Sequence, residues 1–228
     1  MNLLDINDDM LLEIIKYLAL NIQFLYIFRV NKKLKNIIIN NYNLTITQDL
    51  SWCDNVSDVS ALGYLHTLDL CGCINVSDVS ALGNVHTLDL SFCKNVSDVS
   101  ALWNVHTLTL INCTNIEDVD ALGYVHTLDL TQCFGVSDVS YLGNVHTLYL
   151  DSNSFIHDVS ALGNVHTLSL EFCNCVRDIS ALGNVHTLNL RDCDYIPYDD
   201  SDDEVVNCDV LLKNVKHLTL PCGRVLKR

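Results

Sequence analysis

One sentence of about twenty residues is written seven times. The stretch LGNVHTLDLSFCKNVSDVSA begins at Leu82, and close copies begin at residues 62, 102, 122, 142, 162 and 182. A chain that repeats itself at a fixed short period is bound to stack its copies, because no single copy can bury its apolar face alone. In the copy from Leu82, the inward candidates are Val85, Leu88, Leu90, Cys93, Val96, Val99 and Leu102. From Thr87 to Ser91 polar and apolar residues alternate as in a half-buried strand. Leu88 and Leu90 then point inward, and Thr87, Asp89 and Ser91 outward. Every copy starts its strand in the same sense, so the strands run parallel and each needs a return path. The residues left over are too few for two turns and a long helix, so the return is extended or a short 3₁₀ turn around DVSALGN, 78 to 84. Asp78 or Ser80 is expected to cap that turn, and Gly83 to supply its left-handed residue, although Trp103 stands at the equivalent place in the next copy.

On these residues, VHTLDLSFCKNVSDVSAL resembles the leucine-rich-repeat pattern L-x-x-L-x-L-x-x-N/C-x-L in a short form, over roughly residues 43 to 228. The resemblance implies an α/β-class solenoid: a right-handed, gently curved arc with a parallel sheet on its concave face. The first repeat, LTITQDLSWCDNVSDVSAL, is degenerate, with Gln48 at a leucine position. After Leu190 the next strand, VKHLTL at 215 to 220, arrives ten residues late. The extra residues form an acidic insertion at about 194–210, expected to be an exposed loop.

Stacking turns each repeat position into a column with neighbours about 4.8 Å apart. Cysteines 53, 73, 93, 113, 133, 173 and 193 form one column, interrupted by Asn153. The resemblance implies that it faces inward and bonds the backbone of the next coil. A straight column does not converge on a metal, which argues for structural thiols. Histidines 66, 86, 106, 126, 146, 166 and 186 form a second column, placed where a ring can bond a loop carbonyl. No carboxylate or thiol stands beside them at ligand spacing, so a copied structural residue is the plainer reading than a metal or pH site. Aspartates 58, 78, 98, 118, 138, 158 and 178 form a third. Stacked like charges need partners, and backbone N–H groups and nearby serines are the candidates. Calcium would require a glycine-rich ligand loop that is missing. No nucleophile, base and orienting group fall together, so the chain is read as a non-enzyme without cofactor or metal.

The copies differ mainly in the outward residues of the strand and just beyond it. The column of Asp89 reads Asp69, Asp89, Thr109, Asp129, Tyr149, Ser169, Asn189; that of Ser91 runs through Ile111, Asp151, Glu171 and Arg191. Variation there can be drift at exposed positions, or it can mark a partner surface. The aromatics Trp52, Phe92, Tyr149 and Phe172 favour a surface. With Asp69, Asp89, Asp129, Asp151, Glu171 and Arg191 they make a candidate concave site for a protein bearing a basic patch.

Charge supports this. The first 50 residues balance, leaving 23 acids against 8 bases for the net charge of −15. An acidic body repels phosphate backbones, which speaks against nucleic acid. The N-terminus carries Asp5, Asp8 and Asp9 where a signal peptide is basic, so the eleven cysteines are expected to be reduced thiols in a cytoplasmic protein. Met10 to Phe28 is greasy, but Glu13, Lys16, Asn21 and Gln23 interrupt it, which weighs against a membrane anchor.

Residues 1–42 are a separate segment. Leu11, Ile14, Ile15 and Leu18 lie at helical spacing after Asp8, and Val30, Leu34, Ile37 and Ile38 repeat that spacing. Three short helices are expected, and a helical cap over the first coil is one reading of them. INDDMLLEIIKYL followed by VNKKL also resembles an F-box, with Asn7 at the proline position and Leu34 at the tryptophan. That resemblance implies that Ile6, Leu11, Ile14, Ile15, Leu18, Val30 and Leu34 divide between a small core and a surface for the Skp-type adaptor of a cullin–RING ubiquitin ligase. The repeats would then select the substrate. The composition is similar to that of proteins from large DNA viruses of amoebae, which would place the chain in a host cytoplasm. The alternatives are a stand-alone repeat scaffold and a membrane-tethered repeat protein.

Overall fold

The computed structural model describes residues 47–196, 212 and 214–227. The expectations for residues 1–42, including the three helices and all seven adaptor-facing residues, lie outside the described residues, as does most of the acidic insertion. Among the described residues no helix is long and apolar enough to cross a membrane.

Among the described residues, ten short strands form one sheet in sequence order. They are β1 (Thr47–Asp49), β2 (Thr67–Asp69), β3 (Thr87–Asp89), β4 (Thr107–Thr109), β5 (Thr127–Asp129), β6 (Thr147–Tyr149), β7 (Thr167–Ser169), β8 (Thr187–Asn189), β9 (His217–Thr219) and β10 (Val225–Lys227). β1 to β9 are parallel and in register, so Leu68 pairs Leu88, Leu88 pairs Leu108, and so on. The twenty-residue period sets this register from β1 to β8, and β9 keeps it across thirty residues, with Leu188 pairing Leu218; a slip of one residue would turn every inward leucine to solvent. β10 reverses the pattern, pairing antiparallel with β9 through a turn at Gly223 (φ +80). That hairpin, which the repeat pattern does not reveal, ends the parallel ladder.

The return path is a 3₁₀ turn, as the residue count requires. It spans Ser80–Leu82 and Ser100–Leu102 in two coils and lengthens to Asp120–Tyr124, Ser140–Asn144, Ser160–Asn164 and Ser180–Asn184 in the next four. The N-cap position itself is Val79, without a side-chain cap, and Asp78 one residue earlier takes up the first N–H of the turn: its Oδ1 accepts the N–H of Ser80 at 3.0 Å, and Asp98, Asp138, Asp158 and Asp178 repeat the bond. These bonds hold the five carboxyls below the usual carboxylate range, so each of these ladder charges has a partner.

Gly83 is not left-handed. Its φ is −60°, ordinary for a right-handed turn. It is small because the next coil passes close by: a Cβ there would stand 2.2 Å from the Ala101 carbonyl oxygen. The left-handed position lies nine residues on, at the exit from the strand. Trp52, Phe92, Asn112, Gln132, Ser152, Phe172 and Asp192 all have φ between 54° and 63°, and Gly72 has φ 72°. This bend turns the chain inward after the sheet while Phe92 N–H still reaches the Ile111 carbonyl of the adjoining coil at 2.7 Å.

The core is a stack of identical layers. Val85, Leu88, Leu90, Cys93, Val96, Val99 and Leu102 are all 0–1% exposed, and their equivalents follow in each coil. The cysteine column is structural, but its bond runs to the preceding coil, not the next. Cys93 Sγ donates to the Leu70 carbonyl at 3.1 Å, and Cys73, Cys113, Cys133, Cys173 and Cys193 do the same one coil apart. Asn153 replaces the thiol with an amide that donates to Leu130 O at 2.8 Å and to Leu150 O at 2.9 Å. An inward side chain that can donate one hydrogen bond is therefore the requirement, and sulfur is the usual way of meeting it.

Candidate functional site

The sheet face and its downstream rim carry the residues that vary between coils. The acidic members stand in two neighbouring columns, and in the first, that of Asp89, the structure gives them work within the coil. Asp69 Oδ1 accepts the N–H of Cys71 at 2.8 Å, Asp89 that of Ser91 at 2.8 Å, and Asp129 that of Thr131 at 2.9 Å. Asn189 serves Arg191 in the same way at 3.1 Å. Each side chain steadies the turn that leads into the left-handed residue. One oxygen of each carboxylate is thus committed, and half-burial leaves the rest facing the sheet surface.

Where Ser169 takes the place of that aspartate, the adjoining coil supplies the bond. Asp151 Oδ1 accepts the N–H of Glu171 at 2.8 Å and the hydroxyl of Ser169 at 2.5 Å. Asn189 Nδ2 then donates to Ser169 Oγ and Glu171 Oε2, both at 3.0 Å. Arg191 Nε lies 3.2 Å from Asp192 Oδ2 and 3.9 Å from Glu171 Oε1. Burial lifts the Asp151 carboxyl above the usual range against the pull of its two hydrogen bonds. Asp151, Glu171 and Arg191 therefore form one connected network, which single-position reading of the columns does not suggest.

The four aromatics fall at two places. Trp52 is 66% exposed and Phe172 47%, whereas Phe92 and Tyr149 are half-buried. Trp52 lies over Gly72, where a Cβ would meet its ring at 2.4 Å, and its ring centroid is 5.9 Å from that of Phe92. Glycine at 72 makes room for this aromatic pair. Ser91, expected outward, is only 3% exposed, and Ser169 only 5%. Among the described residues, six further exposed aromatics lie off this face or beyond the rim: Trp103, Tyr124 and Tyr141 at the 3₁₀ turns, and Phe134, Phe155 and Tyr195 after the cysteine column. Tyr195 carries the Arg177 guanidinium 5.2 Å above its ring. Trp103 already stands out at a glycine position of the repeat, and comparing every position across the copies also exposes Tyr124 and Tyr141, which replace asparagine and alanine.

The histidine column does not bond loop carbonyls. Its seven rings stack on one another, with centroids 4.5–4.6 Å apart and planes within 9–13°. Each Nδ1 lies 3.1–3.3 Å from the hydroxyl of the threonine that follows it. Among the described residues, no group of three or more His, Cys, Asp or Glu is arranged to hold a metal ion.

The ten described cysteines form no disulfide. Burial raises the Cys93, Cys133 and Cys173 thiols to about 12 and that of Cys193 to about 11. Such thiols hold no thiolate near neutrality and do not react. With a thiol reagent at pH 8, the buried column from Cys73 to Cys193 is expected to stay unmodified in the folded protein and to react fully in denaturant. Rapid labelling of the column in the native state would contradict its burial.

Three of the solved structures to which the chain is similar are the following. The first is an internalin C2 from Listeria monocytogenes, at 27% identity over 58% of this chain and 66% of that one, with a TM-score of 0.46. The second is the functional domain of InlJ from Listeria monocytogenes, which includes a cysteine ladder, at 18% identity over 71% and 47%, with a TM-score of 0.39. The third is a leucine-rich-repeat protein of Leptospira interrogans, at 18% identity over 83% and 53%, with a TM-score of 0.46. The chain spans 47% to 66% of the length of these proteins. No protein-family model matches it, and no curated protein matches it. The in-register parallel sheet, the 3₁₀ return and the inward Leu, Leu, Cys/Asn columns are together the architecture of a leucine-rich-repeat solenoid.

Proposed function

We propose that this protein is a non-enzymatic binding adaptor whose sheet face and downstream rim hold a partner protein with a basic patch. One observation carries the reading. Phe92 and Phe172 sit at φ 63° and 59°, where a residue with a Cβ other than asparagine or aspartate costs about 1–2 kcal/mol relative to a right-handed conformation. Glycine stands at the same position in the coil between Trp52 and Phe92, so folding does not demand an aromatic there. Large side chains kept on strained, accessible backbone point to a use outside the fold. The acids around them supply the charge preference.

The finer reading adds an effector. The F-box resemblance of residues 1–42 supports a Skp–cullin–F-box ubiquitin ligase whose substrate receptor is this chain, working in a eukaryotic cytoplasm. Co-expression with a Skp-type adaptor followed by size-exclusion chromatography tests it. A stoichiometric complex is expected for the full chain and none for the chain lacking residues 1–42. A soluble full-length chain with no adaptor affinity at micromolar concentration would reject the ligase and leave a stand-alone scaffold. Removal of 1–42 would in that case lower the melting temperature of the whole array, as loss of a cap does.

A further inference from the structure

The stacked histidines have no part in the partner surface described above. Their spacing is that of neighbouring strands, and the threonine hydroxyl at each Nδ1 gives all seven rings the same orientation. A hydrogen-bond partner at one ring nitrogen is the usual companion of metal ligation at the other, because it fixes both the ring and the tautomer. In the tautomer whose Nδ1–H donates to the threonine oxygen, Nε2 carries the free lone pair. The rings from His86 to His166 are exposed and the two end rings are half-buried.

His106 feels His126 and His86, His146 feels His126 and His166, and His186 feels His166, His217 and Lys216. Desolvation first and these neighbours second hold His106, His146 and His186 below the usual imidazole range, which favours the neutral, ligating form near pH 7.

An ion with metal–nitrogen bonds of about 2.1 Å, bound by two donors at right angles, needs them about 3 Å apart. Rings stacked at 4.6 Å are wider than that. Opposed tilts of the order of 15° close the gap, and opposed χ2 rotations of roughly 40°, within the broad χ2 range of histidine, turn the two in-plane lone pairs toward one point between the coils. Drawing two rings together moves each away from its other neighbour, so ions take alternate gaps. We propose that the histidine row chelates imidazole-preferring divalent transition ions, each held by the Nε2 atoms of two adjacent coils, with water completing the shell. Divalent copper, nickel and zinc are the chemical class, in the affinity order copper above nickel and zinc. Each ion ties two coils together, so loading raises the melting temperature by mass action.

The arrangement of the histidines, not their number, is what the proposal requires. Two quadruple variants of the tag-free full chain separate these. One carries His86→Gln, His126→Gln, His166→Gln and His217→Gln, leaving isolated rings along the row. The other carries His66→Gln, His86→Gln, His106→Gln and His217→Gln, leaving a contiguous run with the same histidine count. Nickel chloride is titrated calorimetrically at pH 7.5 in a non-chelating buffer. The wild type is expected to take up about three ions and the contiguous variant about two. The isolated-ring variant is expected to bind at least tenfold more weakly, with no rise in melting temperature. Equal binding by the two variants, or no wild-type binding below millimolar nickel, overturns the proposal. If either variant fails to fold, X-ray absorption of the nickel-loaded wild type decides: two imidazole nitrogens per ion are expected, and one or none refutes paired chelation.

Discussion

Leu128→Ala is expected to lower the unfolding free energy by about 4 kcal/mol, in the upper half of the range for a fully buried leucine. Leu128 is 0% exposed and lies at the centre of β5, in register with Leu108 and Leu148. A compact domain could relax around the lost methyl groups by shifting neighbouring elements. A stack of identical coils has little such freedom, because any shift at β5 would break register with both neighbours. The cavity therefore stays open. Stability in such arrays is a sum of coil terms and nearest-neighbour terms, so a weak central coil also loosens the coupling between the two halves. Urea unfolding should show a lower midpoint and a shallower transition. Thr127→Ala, a half-buried outward change in the same strand, should cost about 0.5 kcal/mol or less. Equal small effects at both positions would mean that the layered core does not hold the array.

The repeat by itself makes most of this core legible. A fixed period gives register directly, and alternation around Leu88 and Leu90 gives the buried face. What the columns do not give are bonds that cross from coil to coil or depend on backbone angle. Periodicity places Cys93 inward, yet the carbonyl it meets belongs to the coil before it, since the inward bend at Phe92 carries the thiol back under Leu70. Gly83 reads as a left-handed residue because glycine serves that purpose elsewhere; here it clears the path of a neighbouring backbone. The β9–β10 hairpin falls outside the repeat, so periodicity is silent about it.

The candidate site is legible only as a set of variable columns. Asp69, Asp89 and Asp129 read as partner-facing charges, while the structure shows each also closing a turn. Their recurrence is thus partly a folding requirement, and the copies that lack it show how it is met otherwise. At Ser169 the missing carboxylate is replaced across the ladder by Asp151. Frequency in a column therefore measures the needs of the coil as well as those of a partner, and the aromatics separate the two better because no turn requires them.

That separation is testable at Phe172. Its φ of 59° is one that asparagine visits readily and phenylalanine does not. The side chain is 47% exposed, so little packing is lost when it is removed. Phe172→Asn is expected to leave the protein as stable as the wild type or to raise its unfolding free energy by about 0.5–1 kcal/mol, read from urea midpoints. The same substitution is expected to weaken the partner complex at least tenfold, which corresponds to about 1.4 kcal/mol, within the usual effect of an interface aromatic. Phe92→Asn should weaken binding similarly but give no stability gain, because the ring also packs against Trp52. Opposite signs on folding and binding at residue 172 would establish that the aromatic is kept against the preference of its own backbone. A destabilised Phe172→Asn protein would mean that the ring holds the fold after all, and undiminished binding would move the partner site away from the rim.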